Sequence, residues 1–154
     1  MSLEKDINQN KFRNEHQKAI INLIYTYNWM SERMKVFFDR FSITAQQFNI
    51  LRILRGAGKP ISTLQIRQRM LDKMSDTSRI VDRLVLKLLV KKVICKADKR
   101  LVDISITAKG NKLLEKADKY SDEMDAVFGR LTVTEVNSLN VLLDKIREAD
   151  NNER

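Results

Sequence analysis

The residues of this chain whose types and spacing suit binding chemistry are mostly cations. Arg79 and Arg83 are four residues apart, a spacing that places both on one face of a helix. The stretch from Asp98 to Arg100 sets an acid beside two bases, which taken alone is typical of an ion pair on a surface loop. Cations gathered in this way bind polyanions, because each contact with a phosphate releases condensed counterions.

Residues for nucleophilic, acid–base or metal chemistry are scarce. The chain has one histidine, His16, and one cysteine, Cys95, with no spaced cluster of His, Cys and carboxylate side chains. We therefore predict that the protein is not an enzyme and uses no metal or other cofactor. The lysines beside Cys95 favour its thiolate only weakly, so we predict a structural thiol rather than an oxidant sensor.

Positive charge is concentrated in the middle of the sequence. Residues 52–112 hold 16 Lys/Arg and 5 Asp/Glu, a net charge of +11, whereas the other residues hold 13 and 15, a net charge of −2. A local excess of this size favours a nucleic acid as the partner. Charge alone leaves a solvated cationic face or a membrane-surface patch as the alternative.

The composition and periodicity predict a mainly α fold with a small β-hairpin. Four glycines and one proline leave little material for a sandwich or a barrel. Apolar residues at steps of three and four predict one long helix from about residue 10 to residue 40. Capping-box patterns at Thr44–Gln47 and Ser62–Gln65 predict where the second and third helices begin. A fourth helix begins at Ser75 or Asp76, which makes the third and fourth a helix-turn-helix candidate.

A short hairpin follows the helix-turn-helix candidate. Residues 93–95 and the alternating residues 102–106 predict its two strands, with 96–101 as the tip. In that position a hairpin is typical of a wing. A further helix is predicted over 107–128, and a last one begins with a capping box at 132–135.

Three motifs follow one another along these elements. They are Ile43-Thr44-Ala45-Gln46-Gln47, then Thr77-Ser78-Arg79-Ile80-Val81-Asp82-Arg83-Leu84, and then Asp98-Lys99-Arg100 with Ile104, Ile106 and Thr107-Ala108-Lys109-Gly110. Their order and spacing resemble the MarR family of bacterial winged-helix transcription regulators, over about residues 41–146. The resemblance implies a homodimer with a winged-helix DNA-binding lobe at about residues 44–107.

The resemblance also implies a set of contacts to double-stranded DNA. A recognition helix would enter the major groove, and Arg100 at the wing tip would enter the minor groove while its guanidinium donates to Asp98. Helix capping is the alternative role for Ser62, Ser75 and Asp76. The predicted DNA-binding residues are Ser62, Thr63, Thr77, Ser78, Arg79, Arg83, Lys99 and Arg100.

The helices at about 10–40 and 108–148 are predicted to form a dimerisation layer within a single domain of residues 1–154. A palindromic operator requires a matching two-fold dimer, although packing within one monomer is the alternative use of their apolar stripes. We therefore predict a homodimeric repressor. The alternative function is a winged-helix module that binds proteins or a membrane surface without specific DNA binding.

An effector is a further implication of the resemblance, since the family commonly binds small aromatic ligands beside the DNA-binding lobe. Tyr25, Trp29 and Met30 are the candidate pocket residues. Their alternative role is to pack in the core as part of the apolar stripe of the helix. No apolar run reaches the length of a membrane span, so we predict a cytoplasmic protein with no membrane partner.

Two residues depart from the pattern of the family. Leu88 stands where a glycine usually follows the recognition helix, and a left-handed conformation there would cost another residue about 1 kcal/mol or more. The helix is therefore expected to end differently. Arg67 stands where a small residue is usual, so its side chain is expected to project outward.

Overall fold

The structure, a computed structural model, describes residues 2–94 and 102–148 of the chain. The chain divides into two compact units, Met1–Asp118 and Lys119–Arg154. The first unit contains α1 (Leu3–Asp6), α2 (Glu15–Asp39), α3 (Ala45–Ala57), β1 (Ile61–Ser62), α4 (Thr63–Arg69), α5 (Thr77–Leu86), β2 (Val90–Ile94), β3 (Val102–Ile106) and α6 (Ala108–Asp118). The second contains α7 (Ser121–Asp125), a 3-10 turn (Ala126–Phe128) and α8 (Val133–Glu148). The predicted class, mainly α with a small antiparallel sheet, is confirmed.

The long first helix starts later than its periodicity predicted. Asn14 caps α2 by accepting a hydrogen bond of 2.9 Å from the backbone N–H of Gln17, so the helix begins at Glu15 rather than near residue 10. A short helix, α1, precedes it, and an ion pair of 2.6 Å joins Glu4 to Lys18 on α2. The hydrogen bond from Lys18 lowers the pKa of Glu4 to about 2. Within the described residues, α2 included, no helix is long and apolar enough to cross a membrane.

The predicted capping boxes of α3 and α4 are both present. The Thr44 hydroxyl accepts from the Gln47 backbone N–H and the Gln47 side chain accepts from the Thr44 N–H, each at 3.2 Å. Ser62 and Gln65 make the same reciprocal pair at 3.2 and 3.0 Å. These pairs satisfy backbone donors that a helix start leaves free, so both helices begin where the sequence predicted.

The sheet has three antiparallel strands in the order β1-β3-β2. The strand at 102–106 is confirmed as β3, but β2 begins at Val90 rather than at residue 93 because its pairing runs from Val90 opposite Ile106 to Ile94 opposite Val102. β1 was not predicted, since two residues are too short to show alternation. Cys95 and the predicted hairpin tip, 96–101, lie outside the described residues.

The residue after the last turn of α5 adopts the left-handed conformation typical of glycine, although the sequence predicted a different helix end. Leu88 adopts the left-handed conformation with φ of 60°. Its N–H donates to the Val85 carbonyl at 2.9 Å, and the N–H of Leu89 donates to the Leu84 carbonyl at 3.0 Å, the pair of bonds of a Schellman motif. The Leu88 side chain is 67% exposed, which leaves it room despite the strained backbone. Arg67 is exposed, as expected.

The core of the first unit is built from one apolar stripe of each element. Fully buried side chains come from α3, α4, α5 and α6 and from all three strands of the sheet. They include Ile50, Leu51, Leu54, Ile66, Leu84, Ile104 and Leu114. Burying a side chain of this size contributes about 1.5–3 kcal/mol, so this core fixes the positions of α4 and α5.

The second unit begins where the predicted helix over 107–128 breaks. α6 ends at Asp118, and the residues to Phe128 form α7 and a 3-10 turn instead of one continuous helix. The capping box of α8 is as predicted, with Thr132 N–H donating to the Glu135 carboxylate at 2.8 Å. Hydrogen bonds from the Thr132 backbone N–H and from its hydroxyl lower the pKa of Glu135. None of the side chains of α8 is buried, and Val141, Leu142 and Ile146 are about three-fifths exposed or more.

Candidate nucleic-acid interface

The first turn of α5 presents Ser78 and Arg79 to solvent. Asp76 caps the helix, because its carboxylate accepts from the backbone N–H of Arg79 at 3.2 Å. The same carboxylate pairs with the Arg79 guanidinium at 3.1 Å. The Arg79 side chain is nevertheless 82% exposed, so an incoming phosphate or base can compete with Asp76 for it. Of the two alternatives for Asp76, the capping role is the one present.

Thr77 faces the core, which differs from its predicted role in DNA contact. It is 4% exposed and lies on the buried stripe of α5 with Val81 and Leu84, at spacings of four and three residues. Its hydroxyl is buried with no hydrogen-bond partner among the described residues. Thr77 therefore belongs to the packing of α5, and the exposed face of the first turn is left to its neighbours.

Ser62 and Thr63 lie at the start of α4. The Ser62 hydroxyl caps that helix, and Ser62 itself pairs with Asp103 in the sheet. Both residues are half-buried. The capping role of Ser62 is thus present, while the free amides of the first turn remain suited to an anion.

A second group of cations continues the exposed face of α5. Arg83 is exposed one turn beyond Arg79. Lys92 on β2 forms an ion pair of 2.9 Å with Asp82, which attaches the strand to the helix, and Lys91 beside it is exposed. The sequence did not single out Lys91 or Lys92, because the start of β2 at Val90 was not predicted. An alternation counted from the buried Val90 would have placed Lys92 on the same face of the strand as Val90 and Lys91 on the opposite face.

The predicted wing residues Asp98, Lys99 and Arg100 lie outside the described residues. The strands that carry them are described as far as the pair Ile94 and Val102. The sheet therefore extends the surface of α5 by way of β2, and the roles of these three residues stay predictions.

The candidate pocket residues lie on an open face of α2. Tyr25 and Trp29 are 37% and 36% exposed, and Met30 is half-buried. The Arg33 guanidinium lies 4.0 Å from the centre of the Trp29 ring, an arrangement that favours a cation–π interaction. A cleft of about 470 Å³ lies elsewhere in the first unit, where Asp39 on α2, the start of α3, and Arg83 and Lys87 at the end of α5 line it.

The described residues contain no group of three or more His, Cys, Asp and Glu side chains that could hold a metal ion. The cations of α5 and β2 named above are all exposed, although Arg79 and Lys92 are paired with Asp76 and Asp82. Such an arrangement can neutralise phosphates one by one.

Comparison with known proteins identifies structural neighbours. No family model and no curated protein matches the sequence. A crystal structure of a MarR transcription factor from Planctomyces limnophilus is 30% identical, with a TM-score of 0.67, and the match covers 87% of this chain and 98% of that one. A mutant MarR from E. coli in complex with operator DNA is 24% identical over 89% of this chain and 99% of that one, with a TM-score of 0.79.

A third neighbour is a ligand complex. The organohalide-sensing transcriptional regulator RdhR, bound to 2,4-dichlorophenol, has a TM-score of 0.81. It is 18% identical, and the match covers 92% of this chain and 86% of that one. At this identity the likeness concerns the fold.

Proposed function

Since the chain belongs to the MarR family of transcription regulators, we propose that it is a cytoplasmic homodimeric repressor of a palindromic operator. The observation that supports this proposal best is the exposed face of α5, where Ser78, Arg79 and Arg83 point to solvent within a segment of net charge +11. One related protein, the mutant MarR from E. coli, is crystallised with operator DNA.

In the proposed complex, α5 enters the major groove. Ser78 and Arg79 contact bases or phosphates, and Arg83 contacts a phosphate. Thr63 and the amides at the start of α4 contact the backbone beside the groove. Thr77 is no longer part of this set, because its side chain is buried.

The wing completes the proposed contact surface. Lys99 and Arg100 approach the minor groove, and Asp98 orients the Arg100 guanidinium by accepting its hydrogen bond. Lys91 and Lys92, at the root of the hairpin, add phosphate contacts. The wing thereby extends binding beyond the bases that α5 recognises.

We also propose that a small aromatic effector releases the DNA, with Tyr25, Trp29 and Met30 lining its site. A related regulator of the same fold binds 2,4-dichlorophenol. These three side chains lie on an exposed face of α2 in a single chain, so a partner protomer would have to cover the ligand. The alternative function, a protein- or membrane-binding module without specific DNA binding, is not favoured.

The test is a selection of bound sequences from a random DNA pool, followed by titration of the enriched sequence and a shuffled control. Arg79→Ala should weaken binding to the enriched sequence more than to the shuffled one, because base contacts specify. Arg83→Ala should weaken both and lower the salt slope by about one unit per protomer. Lys116→Ala, an exposed cation of α6 far along the sequence from α5, is the matched control. Failure of the pool to yield an enriched sequence would contradict the proposal.

The wing needs a separate experiment. Arg100→Ala should weaken specific binding by about 1–3 kcal/mol. Asp98→Ala should do similar harm if it orients Arg100, although removal of a negative charge near DNA would by itself strengthen binding. In the Arg100→Ala background, Asp98→Ala should then have little effect. Tighter specific binding by Asp98→Ala alone would show that the carboxylate has no orienting role.

A further inference from the structure

Lys87 occupies the end of α5, where the helix turns toward the wing. Its backbone N–H donates to the Arg83 carbonyl at 3.1 Å, so it closes the last turn of the helix. The strained residue Leu88, with φ of 60°, follows directly. The direction that the chain takes from α5 into β2 is therefore set at this residue.

The ammonium of Lys87 is bound to the junction between α2 and α3. It donates to the backbone carbonyl of Ser42 and to the side-chain oxygen of Gln47, the latter at 3.1 Å. Gln47 is 4% exposed, and the same oxygen accepts from the backbone of Thr44 in the capping box. Ser42 itself is held in a left-handed conformation with φ of 55°. One ammonium thus attaches the end of α5 to the constrained junction between α2 and α3, where Gln47 is buried and Ser42 is exposed.

The carbonyl side of the same turn is held by the segment that leaves the wing. The Lys109 ammonium donates to the Lys87 carbonyl at 2.9 Å. The Thr107 hydroxyl donates to the Leu88 and Leu89 carbonyls at 2.8 and 3.0 Å. The wing and α5 therefore meet at a turn that Lys87 fixes from the other side.

We infer that Lys87 is a positioning residue for sequence-specific DNA binding, which holds the direction of α5 and of β2 without itself contacting DNA. This inference rests on the proposed function. A lysine this close to a recognition surface would ordinarily be assigned to a phosphate. Although the residue is exposed, its ammonium is instead engaged with two oxygens of the protein, the Ser42 carbonyl and the Gln47 side-chain oxygen.

The two roles predict different results for Lys87→Met, which keeps the length of the side chain and removes its donors. A positioning residue should lower affinity for the selected sequence by roughly tenfold, about the value of one base contact, and leave shuffled DNA and the salt slope unchanged. A phosphate contact would weaken both DNAs alike and reduce the salt slope by about one unit per protomer. Lys91→Met is the matched control, an exposed lysine for which the second pattern is expected.

Two further variants and one substitute for Lys87→Met extend the test. Lys87→Arg retains donors that can reach both oxygens, and it should retain specificity. In the Lys87→Met background, Arg79→Ala should cost less than in the wild type, because its base contact is already misaligned. If Lys87→Met does not fold, Lys87→Gln replaces it, and its thermal unfolding is recorded beside its binding.

Two outcomes would overturn the positioning role while the proposed function stands. In both, the wild type binds specifically, and Lys87→Met either keeps its specificity or weakens binding to both DNAs alike. Absence of specific binding by wild type would overturn both. Hydrogen exchange without DNA distinguishes these cases further. Faster exchange at the amides of Leu88 and Leu89 in Lys87→Met is expected, and unchanged exchange there would overturn the inference.

Discussion

Thr77 and Ser78 are neighbours in sequence, but on α5 Thr77 is buried and Ser78 is exposed. The motif that spans them predicted DNA contact for both, whereas the helical period places Thr77 in register with Val81 and Leu84 in the core. Periodicity could have separated the two residues before the structure was known. That the Thr77 hydroxyl is buried without a hydrogen-bond partner among the described residues could not have been predicted, because it depends on packing between elements.

Leu88 allows a direct test of backbone strain at the residue scale. Leu88→Gly should raise the free energy of unfolding by about 1 kcal/mol, because glycine adopts the left-handed conformation without a steric penalty. The Leu88 side chain is 67% exposed, so little packing is lost. Urea denaturation of the purified protein measures the change.

Leu86→Gly is the matched control for that substitution. Leu86 is 83% exposed at the last position of α5, where glycine should lower stability by about 0.5–1 kcal/mol. A loss of stability in both variants would indicate that Leu88 stabilises the turn by contacts that outweigh its strain.

Helix starts were the elements that the sequence predicted best. The capping boxes at Thr44, Ser62 and Thr132 are local patterns whose partner lies three residues away, so the sequence contains all of their information. The start of β2 at Val90 and the two-residue β1 depend on pairing with β3, which is distant along the chain. The break after Asp118 likewise has no glycine or proline to mark it.

The junction between α5 and α6 depends on a close approach at Gly110. A Cβ atom there would lie 2.3 Å from the Leu89 carbonyl oxygen and 2.8 Å from the Ile106 side chain. Gly110→Ala should therefore lower the free energy of unfolding by about 1–3 kcal/mol, as overpacking does in a tight core. Thermal and urea denaturation measure this loss.

Gly56→Ala provides the matched control. Gly56 lies within α3, and a Cβ atom added there would have no atom within 4 Å, so alanine should stabilise the helix by about 0.5–1 kcal/mol. Equal effects of the two substitutions would contradict the close approach of α6 to the turn after α5.

The link between α3 and α6 predicts a dependence on pH. Arg55 donates to Asp118 at 2.7 Å and Arg52 at 3.1 Å, and these guanidinium groups lower the pKa of Asp118, with the Arg55 hydrogen bond as the main cause. A lowered carboxylate pKa adds stability above the unfolded value, near pH 4, and this contribution disappears as the pH falls through the folded value.

Asp118→Asn should therefore destabilise the protein at pH 7 and change its stability less at pH 3. The effect should stay below about 1 kcal/mol, because the Asp118 side chain is 42% exposed and water screens the pair. Urea denaturation at the two pH values measures it. Arg55→Met should give a similar pattern, and an equal loss at both pH values would contradict the assigned cause.

At the scale of the molecule, the charge distribution predicted the location of the candidate interface. Residues 52–112 include α5 and β2, where Arg79, Arg83, Lys91 and Lys92 are exposed, whereas Arg52 and Arg55 of the same segment pair with Asp118. The oligomeric state could not be derived in the same way, because an apolar stripe serves a monomer core and a dimer interface equally well. Its assignment depends on which side chains a single chain leaves exposed.

The exposed apolar side chains predict a homodimer. Ile20 and Ile24 on α2 are 58% and 57% exposed, and Leu142 and Ile146 on α8 are 59% and 61% exposed. Both pairs are four residues apart, so each forms a stripe on one helix face. Sedimentation at micromolar concentration should give about twice 18.0 kDa, and the midpoint of thermal unfolding should rise with protein concentration.

Substitutions within those stripes test which faces form the dimer. The double substitution Ile20→Glu with Ile24→Glu should shift the sedimenting species toward the monomer, because association would bury two unpaired carboxylates on each chain. Leu142→Glu with Ile146→Glu should do the same. Leu64→Glu is the control, since Leu64 is 64% exposed, lies outside both stripes, and directly follows Thr63 in the first turn of α4, which we propose contacts the DNA backbone. It should leave the dimer intact while it weakens DNA binding.

Monomeric wild type that still binds a palindrome tightly would contradict the homodimer, because recognition of two half-sites at once requires two copies of α5.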